Sequence, residues 1–93
     1  MTLPAGKYAF TATTGDCSDG ATKYVTASAG SSLPDIDDVP GAALAFTNVV
    51  KWADNTIRFE LTSPTQVVLG IQANMKAEGN FMKVFKVRLY SLP

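Results

Sequence analysis

The stretch TIRFELTSPTQVVLGI, residues 56–71, carries the clearest secondary-structure signal in the chain. In its first half, the apolar residues Ile57, Phe59 and Leu61 alternate with charged ones, which is the two-residue period of a strand with one buried face. A Ser-Pro-Thr turn follows, and QVVLGIQA at 66–73 has the apolar character of a second, more buried strand. The sequence therefore predicts a strand, a turn and a strand here.

Strand signals of the same kind continue on both sides of this pair, separated by turn residues. No segment has a convincing 3.6-residue period, so helices are not expected to build the core. About six short strands joined by turns are typical of an all-β antiparallel sandwich or barrel. The further strand candidates are KYAFTAT at 7–13, ATKYVTASA at 21–29, ALAFTNVV at 43–50 and FMKVFKVRLYSL at 81–92.

The last of these candidates, residues 81–92, is long and apolar. Because an exposed sheet edge of that character would invite aggregation, we predict a central position in a sheet for it. The segments 14–20, 30–41 and 74–80 contain the polar residues, glycines and prolines of loops. The predicted core consists of Tyr8, Phe10, Ile57, Phe59, Leu61, Leu69, Ile71, Val87 and Leu89.

Composition argues against several classes of function. Lys plus Arg equals Asp plus Glu, so the formal net charge is zero, and binding to nucleic acid, which needs clustered positive charge, is not expected. The longest apolar run falls far short of the roughly 20 residues that span a bilayer, so membrane insertion is not expected either. A chain of 93 residues makes one domain. We interpret residues 1–93 as a single β-sandwich that is part of a larger multidomain protein.

Three stretches of the chain are similar to segments of one known type of domain. LPAGKYAFTA at 3–12 is similar to its opening strand, FELTSPTQVVLGI at 59–71 to a strand-turn-strand that ends in Gly-Ile, and residues 80–92 to its closing strand. Together and in this order they resemble carbohydrate-binding-module-like jelly-roll domains with the galactose-binding-like fold, found in secreted bacterial polysaccharide-processing proteins. The resemblance implies an antiparallel two-sheet β-sandwich of the jelly-roll type. The chain has Phe81 where such domains often carry Trp, and Phe85 where they often carry Asp.

The same resemblance implies a function. The chain would be a non-catalytic accessory domain that holds a polysaccharide or oligosaccharide, in an extracellular or cell-surface protein, next to neighbouring domains of that protein. The alternative is a structural or protein-interaction module of a secreted or surface protein. In domains of this fold the loops at one end often form the binding rim, which makes Asn80 and Phe81, in and beside the last loop, candidate ligand contacts.

The polar turn KWADN at 51–55 is the other candidate binding segment, and it holds the only tryptophan of the chain. Sugars present C–H faces that stack on aromatic rings, while amines and carboxylates bind their hydroxyl groups. Lys51, Asp54 and Asn55 surround Trp52 with polar groups of this kind; Trp52 would be the stacking platform, with Lys51 and Asp54 as polar contacts. A second interpretation stays open, in which Trp52 caps one end of the sandwich core, since tryptophan is usually mostly buried.

Metal and catalytic sites have weaker signals. The aspartates of DIDD at 35–38, with Asp16 and Asp19, could supply oxygen ligands to a structural calcium ion, but they lack the spacing of a calcium loop. A solvated acidic loop without metal or cofactor is therefore the favoured interpretation. The chain has no histidine to activate Cys17, and no signal fixes a glycosidase carboxylate pair, so an enzyme is not expected.

Overall fold

The computed structural model describes residues 1–19, 21–75 and 79–93. A 3-10 turn at Ile36–Asp38 leads directly into the one-turn helix Val39–Ala42, α1. All other regular structure in the described residues is extended. The strands are Thr2–Leu3 (β1), Gly6–Cys17 (β2), Thr22–Ala29 (β3), Ala45–Asn48 (β4), Asp54–Leu61 (β5), Thr65–Asn74 (β6) and Met82–Leu92 (β7).

The strands form two antiparallel sheets. One has four strands in the order β1-β6-β3-β4, and the other has three in the order β5-β2-β7. Every pairing between neighbouring strands is antiparallel. The prediction of an all-β, antiparallel two-sheet sandwich is confirmed. The strand-turn-strand predicted around residues 56–71 joins the two sheets, because β5 lies in one and β6 in the other.

The core lies between the sheets and follows from the register of β2 and β5. Tyr8 lies opposite Phe59, and Phe10 lies opposite Ile57, so the alternating apolar residues of the two strands share one face. The Tyr8 and Phe59 rings stack with their centroids 5.5 Å apart. The buried cluster consists of Tyr8, Phe10, Ala12, Val25, Ala27, Ile57, Phe59, Leu61 and Val67, with Leu69, Ile71 and Leu89 partly buried against it.

The segment between β3 and β4 covers the outer face of the four-stranded sheet. Gly70 lies opposite Thr26, on the face that points away from the core. A Cβ atom on Gly70 would lie 2.5 Å from a methyl carbon of Leu33, so this glycine makes room for the leucine. Gln72 Nε2 donates to the Pro34 carbonyl at 2.6 Å, and Val39 is fully buried. The segment predicted as a loop at 30–41 therefore contains a packed helical turn.

The polar loop predicted at 14–20 is partly wrong, because β2 continues through Cys17. Thr14 pairs with Val84 and Cys17 with Met82, after shifts in the register between β2 and β7. Thr14 and Cys17 are buried, so the side chains that suggest a solvated loop lie instead against neighbouring strands. Polar composition alone is a poor guide where a strand continues by pairing with a distant segment of the chain.

The central position predicted for the last strand is wrong. β7 lies at the edge of the three-stranded sheet and pairs with β2 on one side. Val87 was predicted to be in the core, but it is 51% exposed. It lies opposite Ala12 on the core-facing side of the sheet, at a part of β7 that the opposing sheet does not cover. Leu89, two residues further on, does pack against the core.

Candidate functional site

The turn between β4 and β5 presents Trp52 to solvent. Its side chain is 67% exposed, so Trp52 does not cap the core. Its backbone adopts the left-handed conformation with a φ of 57°, which bulky residues rarely adopt. The Trp52 amide donates to the Gly15 carbonyl at 2.9 Å, which ties the turn to the end of β2. The ring is thus held outward from a fixed point of the backbone.

Two buried polar side chains hold this turn in place. The Thr14 hydroxyl donates to the Val50 carbonyl at 2.6 Å. Asn55 accepts from the Val50 amide at 2.7 Å, and its Nδ2 lies 3.1 Å from the Val50 carbonyl, 3.3 Å from the Ala53 carbonyl and 3.2 Å from Ala12 O. Both side chains are buried, and their bonds fix the backbone on both sides of Trp52.

A second exposed aromatic ring, that of Phe85, lies beside Trp52. Thr13 pairs with Lys86 and Thr14 with Val84, so Phe85 is the extra residue of a bulge in β7. The Phe85 ring is 63% exposed, and its centroid lies 6.5 Å from that of Trp52 with the planes inclined by 54°. A bulge re-aims a side chain, and here it directs Phe85 toward the turn.

Gly15 allows this approach. A Cβ atom at position 15 would lie 2.5 Å from Phe85 Cζ, so only glycine leaves space for the ring in its present position. The same glycine offers its carbonyl to the Trp52 amide. Gly15 therefore contacts both aromatic residues and sets their separation.

Between the rings lies an open pocket of about 280 Å³. Asp54 forms its acidic wall: its Oδ1 accepts from the Thr13 hydroxyl at 2.5 Å and lies 4.0 Å from Arg88 Nη2. The pocket thus combines two flat apolar surfaces with a carboxylate and the Thr13 hydroxyl, groups that can contact a ligand with both C–H and O–H faces. Its lining consists of Thr13, Thr14, Trp52, Ala53, Asp54 and Phe85.

The structure brings together two of the five residues predicted to bind a ligand, Trp52 and Asp54. Lys51 is not in the pocket lining, and its ammonium lies 3.7 Å from a carboxylate oxygen of Asp19. Asn80 and Phe81 are not in the lining either. The Phe81 amide donates to Ser18 Oγ at 2.9 Å, which fastens the start of the last strand to the end of β2.

Sequence reasoning placed Asn55 among the polar groups around Trp52 but missed its burial, and it missed Thr14 and Phe85 as residues that shape the pocket. Asn55 has the same phase as Ile57 and Phe59 in the alternation of β5, a signal that could have predicted its burial. Thr14 and Phe85 had no such signal, since their roles arise from the register between β2 and β7. A bulge cannot be located from one strand alone, because it is a property of the pairing.

A second open pocket of about 260 Å³ is lined by Lys7, Tyr8, Arg58, Phe59, Glu60 and Leu92. Its aromatic residues, Tyr8 and Phe59, belong to the core and have little exposed surface. In the described residues, no three carboxylate or thiol side chains form a group that could hold a metal ion, so the alternative of a calcium site gains no support. No described helix has the length and apolar character needed to cross a membrane.

Comparison with known families shows a model that matches most of the chain. The model of a family described as a domain of unknown function (DUF5013) matches residues 1–70, three quarters of the chain. The chain belongs to this family. Within the DUF5013 match lie Thr13, Thr14, Trp52 and Asp54, whereas Phe85 lies beyond it. No curated protein and no solved structure matches the chain.

Proposed function

We propose that this domain is a non-catalytic carbohydrate-binding module of a secreted or cell-surface multidomain protein, and that it binds a glycan at the pocket between Trp52 and Phe85. The observation that carries the proposal is the state of Trp52, a solvent-exposed indole on a left-handed backbone. The resemblance of three segments to carbohydrate-binding jelly rolls, described above, points to the same ligand class.

The backbone conformation of Trp52 lowers the stability of the fold, and the contacts of its side chain do not offset this cost. A non-glycine residue in the left-handed region costs on the order of 1–3 kcal/mol, and backbone strain of this kind clusters at ligand-binding sites. The exposed ring recovers little of that cost through burial, because two thirds of its surface remains in water. Glycine or asparagine would serve the turn better. Contact with a ligand would explain why a tryptophan occupies this position.

The chemistry of the pocket suits a sugar ring. Trp52 and Phe85 offer apolar faces to axial C–H groups, and the inclination of 54° between them lets each ring contact a different part of a saccharide. The Asp54 carboxylate accepts hydrogen bonds from hydroxyl groups at the rim. Because the pocket is shallow and open, we expect weak affinity for a monosaccharide and a contribution from neighbouring sugar units of a polymer.

A binding role fits this pocket better than a hydrolytic one. Most glycosidases place two carboxylic groups on either side of the scissile bond. The lining, among the described residues, includes one carboxylate, Asp54, whose Oδ1 already accepts from Thr13. Chemistry on the glycan would come from another domain of the parent protein.

The test is a titration with a panel of neutral and acidic polysaccharides. Trp52 is the only tryptophan, so its fluorescence reports on this pocket alone. We expect a saturable change for at least one polysaccharide. Affinity electrophoresis should then show that Trp52→Ala binds this polysaccharide about tenfold or more weakly. Removing an apolar contact of this size lowers the free energy of binding by about 1.5–3 kcal/mol.

Phe85→Ala should weaken binding as well, whereas Phe46→Ala should leave it unchanged. Phe46 is a matched control, since it is also an exposed phenylalanine but lies in β4 of the other sheet, beside Tyr24. All three variants should retain the far-ultraviolet spectrum of the parent. A flat fluorescence response across the panel, or equal losses in Phe46→Ala and Trp52→Ala, would contradict the proposal and favour the structural or protein-interaction module.

A further inference from the structure

β7 is an edge strand with an unusual surface. It runs for 11 residues and pairs with β2 on one side, while no strand of the described residues pairs with its other side. Four of its large apolar residues, Val84, Phe85, Val87 and Tyr90, are exposed. A long exposed edge presents unpaired backbone amides and carbonyls, which is a template for an added strand.

The other sheet edges lack this character. β1 has two residues and β4 has four, too short to guide a long pairing. β5 has eight residues but exposes no large apolar side chain, because Ile57, Phe59 and Leu61 are buried and its exposed set is polar and charged. β7 also carries charges, but they are of one sign, and it exposes large apolar side chains between them. β7 is therefore the edge in the described part of the chain that is best suited to receive another strand.

The charged residues of β7 indicate the charge of a strand that could pair with it. The strand carries Lys83, Lys86 and Arg88 and no acidic residue. In the described residues, Arg88 lies 4.0 Å from Asp54, whereas neither Lys83 nor Lys86 has a carboxylate within ion-pair distance. Two copies paired through β7 would place six cations along one seam with no acidic residue from either strand, and like charges across a strand pair are destabilising.

The side chains on the two faces of β7 indicate which residues should alternate in a strand that pairs with it. Lys86 and Arg88 lie opposite Thr13 and Thr11, on the face that points away from the core. Val87, between them, lies on the core-facing side and is half exposed. A strand that alternates acidic and apolar residues would place its carboxylates beside the cations and its apolar residues beside Val87, where they would extend the core layer.

We infer that β7 binds an extended acidic segment of another polypeptide chain by strand addition, with acidic and apolar residues in alternation. This mode of recognition takes its affinity from backbone hydrogen bonds and its specificity from alternate side chains. Phe85 belongs to both surfaces, but the contact differs from that of the glycan pocket, since the backbone edge of β7 rather than the Trp52 ring would carry it.

The test uses a capped synthetic peptide of alternating glutamate and valine, as long as β7, and matched peptides with lysine or threonine in place of glutamate. Binding to the full chain is measured by calorimetry and mapped by amide NMR shifts. We expect the glutamate peptide to bind about tenfold or more tightly than the lysine peptide, with shifts and added exchange protection at Met82–Leu92. Raising the salt concentration to about 0.2 M should weaken the binding of the glutamate peptide, because salt screens the attraction between exposed charges.

A charge swap sharpens the result. Lys83→Glu combined with Lys86→Glu should reverse the preference between the glutamate and lysine peptides. Lys7→Glu combined with Arg58→Glu makes the same change in charge at exposed positions of β2 and β5 and should keep the preference of the parent.

Three results would overturn the inference: no binding of the glutamate peptide, equal binding of the lysine peptide, or shifts that map away from β7. Concentration-dependent dimerisation of the free chain with shifts at β7 would also overturn it, because a second copy would then be the occupant. The peptide comparison with the parent chain stands by itself if the swapped variant does not fold.

Discussion

β5 and β7 flank the same central strand, β2, yet their side chains differ in burial. Exposed and buried residues alternate strictly along β5, whereas every residue of β7 is exposed or only partly buried. β7 is the more apolar of the two by sequence. β5 packs against β3 and β4 of the other sheet, and β7 packs mainly against its neighbour β2. The apolar character of a strand therefore does not decide its burial; coverage by the opposing sheet does.

Two phenylalanines give the largest expected difference between the strands. Phe59 in β5 is 7% exposed and Phe85 in β7 is 63% exposed. Phe59→Ala should lower the free energy of unfolding by about 3–5 kcal/mol, since it leaves a cavity in the core. Phe85→Ala should lower it by less than about 1 kcal/mol. Urea denaturation of both variants measures the difference, and equal losses would show that β7 is covered in solution.

The start of β5 should be almost as sensitive as its core. Asn55→Ala removes the buried side chain that accepts from the Val50 amide and donates to neighbouring carbonyls, and it leaves that amide without its side-chain partner. We expect a loss of about 2–3 kcal/mol in the free energy of unfolding. The control is Thr56→Ala at the neighbouring exposed position of the same strand. A loss in Asn55→Ala no larger than that of the control would mean that the turn before β5 is held by other contacts.

The turn before β5 should gain stability when its aromatic residue is removed. Trp52→Gly relieves the left-handed backbone and should raise the free energy of unfolding by up to about 1 kcal/mol, while glycan binding is lost. Trp52→Ala keeps the strain and should show no such gain. Thermal unfolding of the two variants side by side checks this. A destabilised Trp52→Gly would show that the indole contributes to folding and that its position needs no ligand to explain it.

The smallest expected effect is at Val87. Val87→Thr exchanges a methyl group for a hydroxyl at a half-exposed edge position and should change the free energy of unfolding by less than about 0.5 kcal/mol. Val67→Thr, the same exchange at a fully buried position of β6, should cost about 1–3 kcal/mol because the hydroxyl is buried. Equal effects in chemical denaturation would contradict the exposure of β7.

The sequence predicted the kind of binding surface but only some of the residues that line it. A lone tryptophan beside an aspartate in a polar turn indicated an aromatic binding surface, and the structure places Trp52 and Asp54 in one pocket. Lys51, Asn80 and Phe81 satisfied the same chemical criterion but lie outside its lining. Phe85 entered the pocket through a bulge, and Gly15 made room for it. Both depend on how β7 pairs with β2, which residue types cannot show.

The sequence by itself determined the strands and their two faces, because alternation is a local property: Ile57, Phe59 and Leu61 must share one side of any extended segment. It also indicated that the tryptophan lies in a turn, because polar residues flank it, although the structure starts β5 at Asp54 and buries Asn55. Only the tertiary structure decided which strand lies at the edge and which aromatic rings meet. Those outcomes depend on pairings between residues far apart in the chain, such as Thr14 with Val84, and no local pattern encodes them.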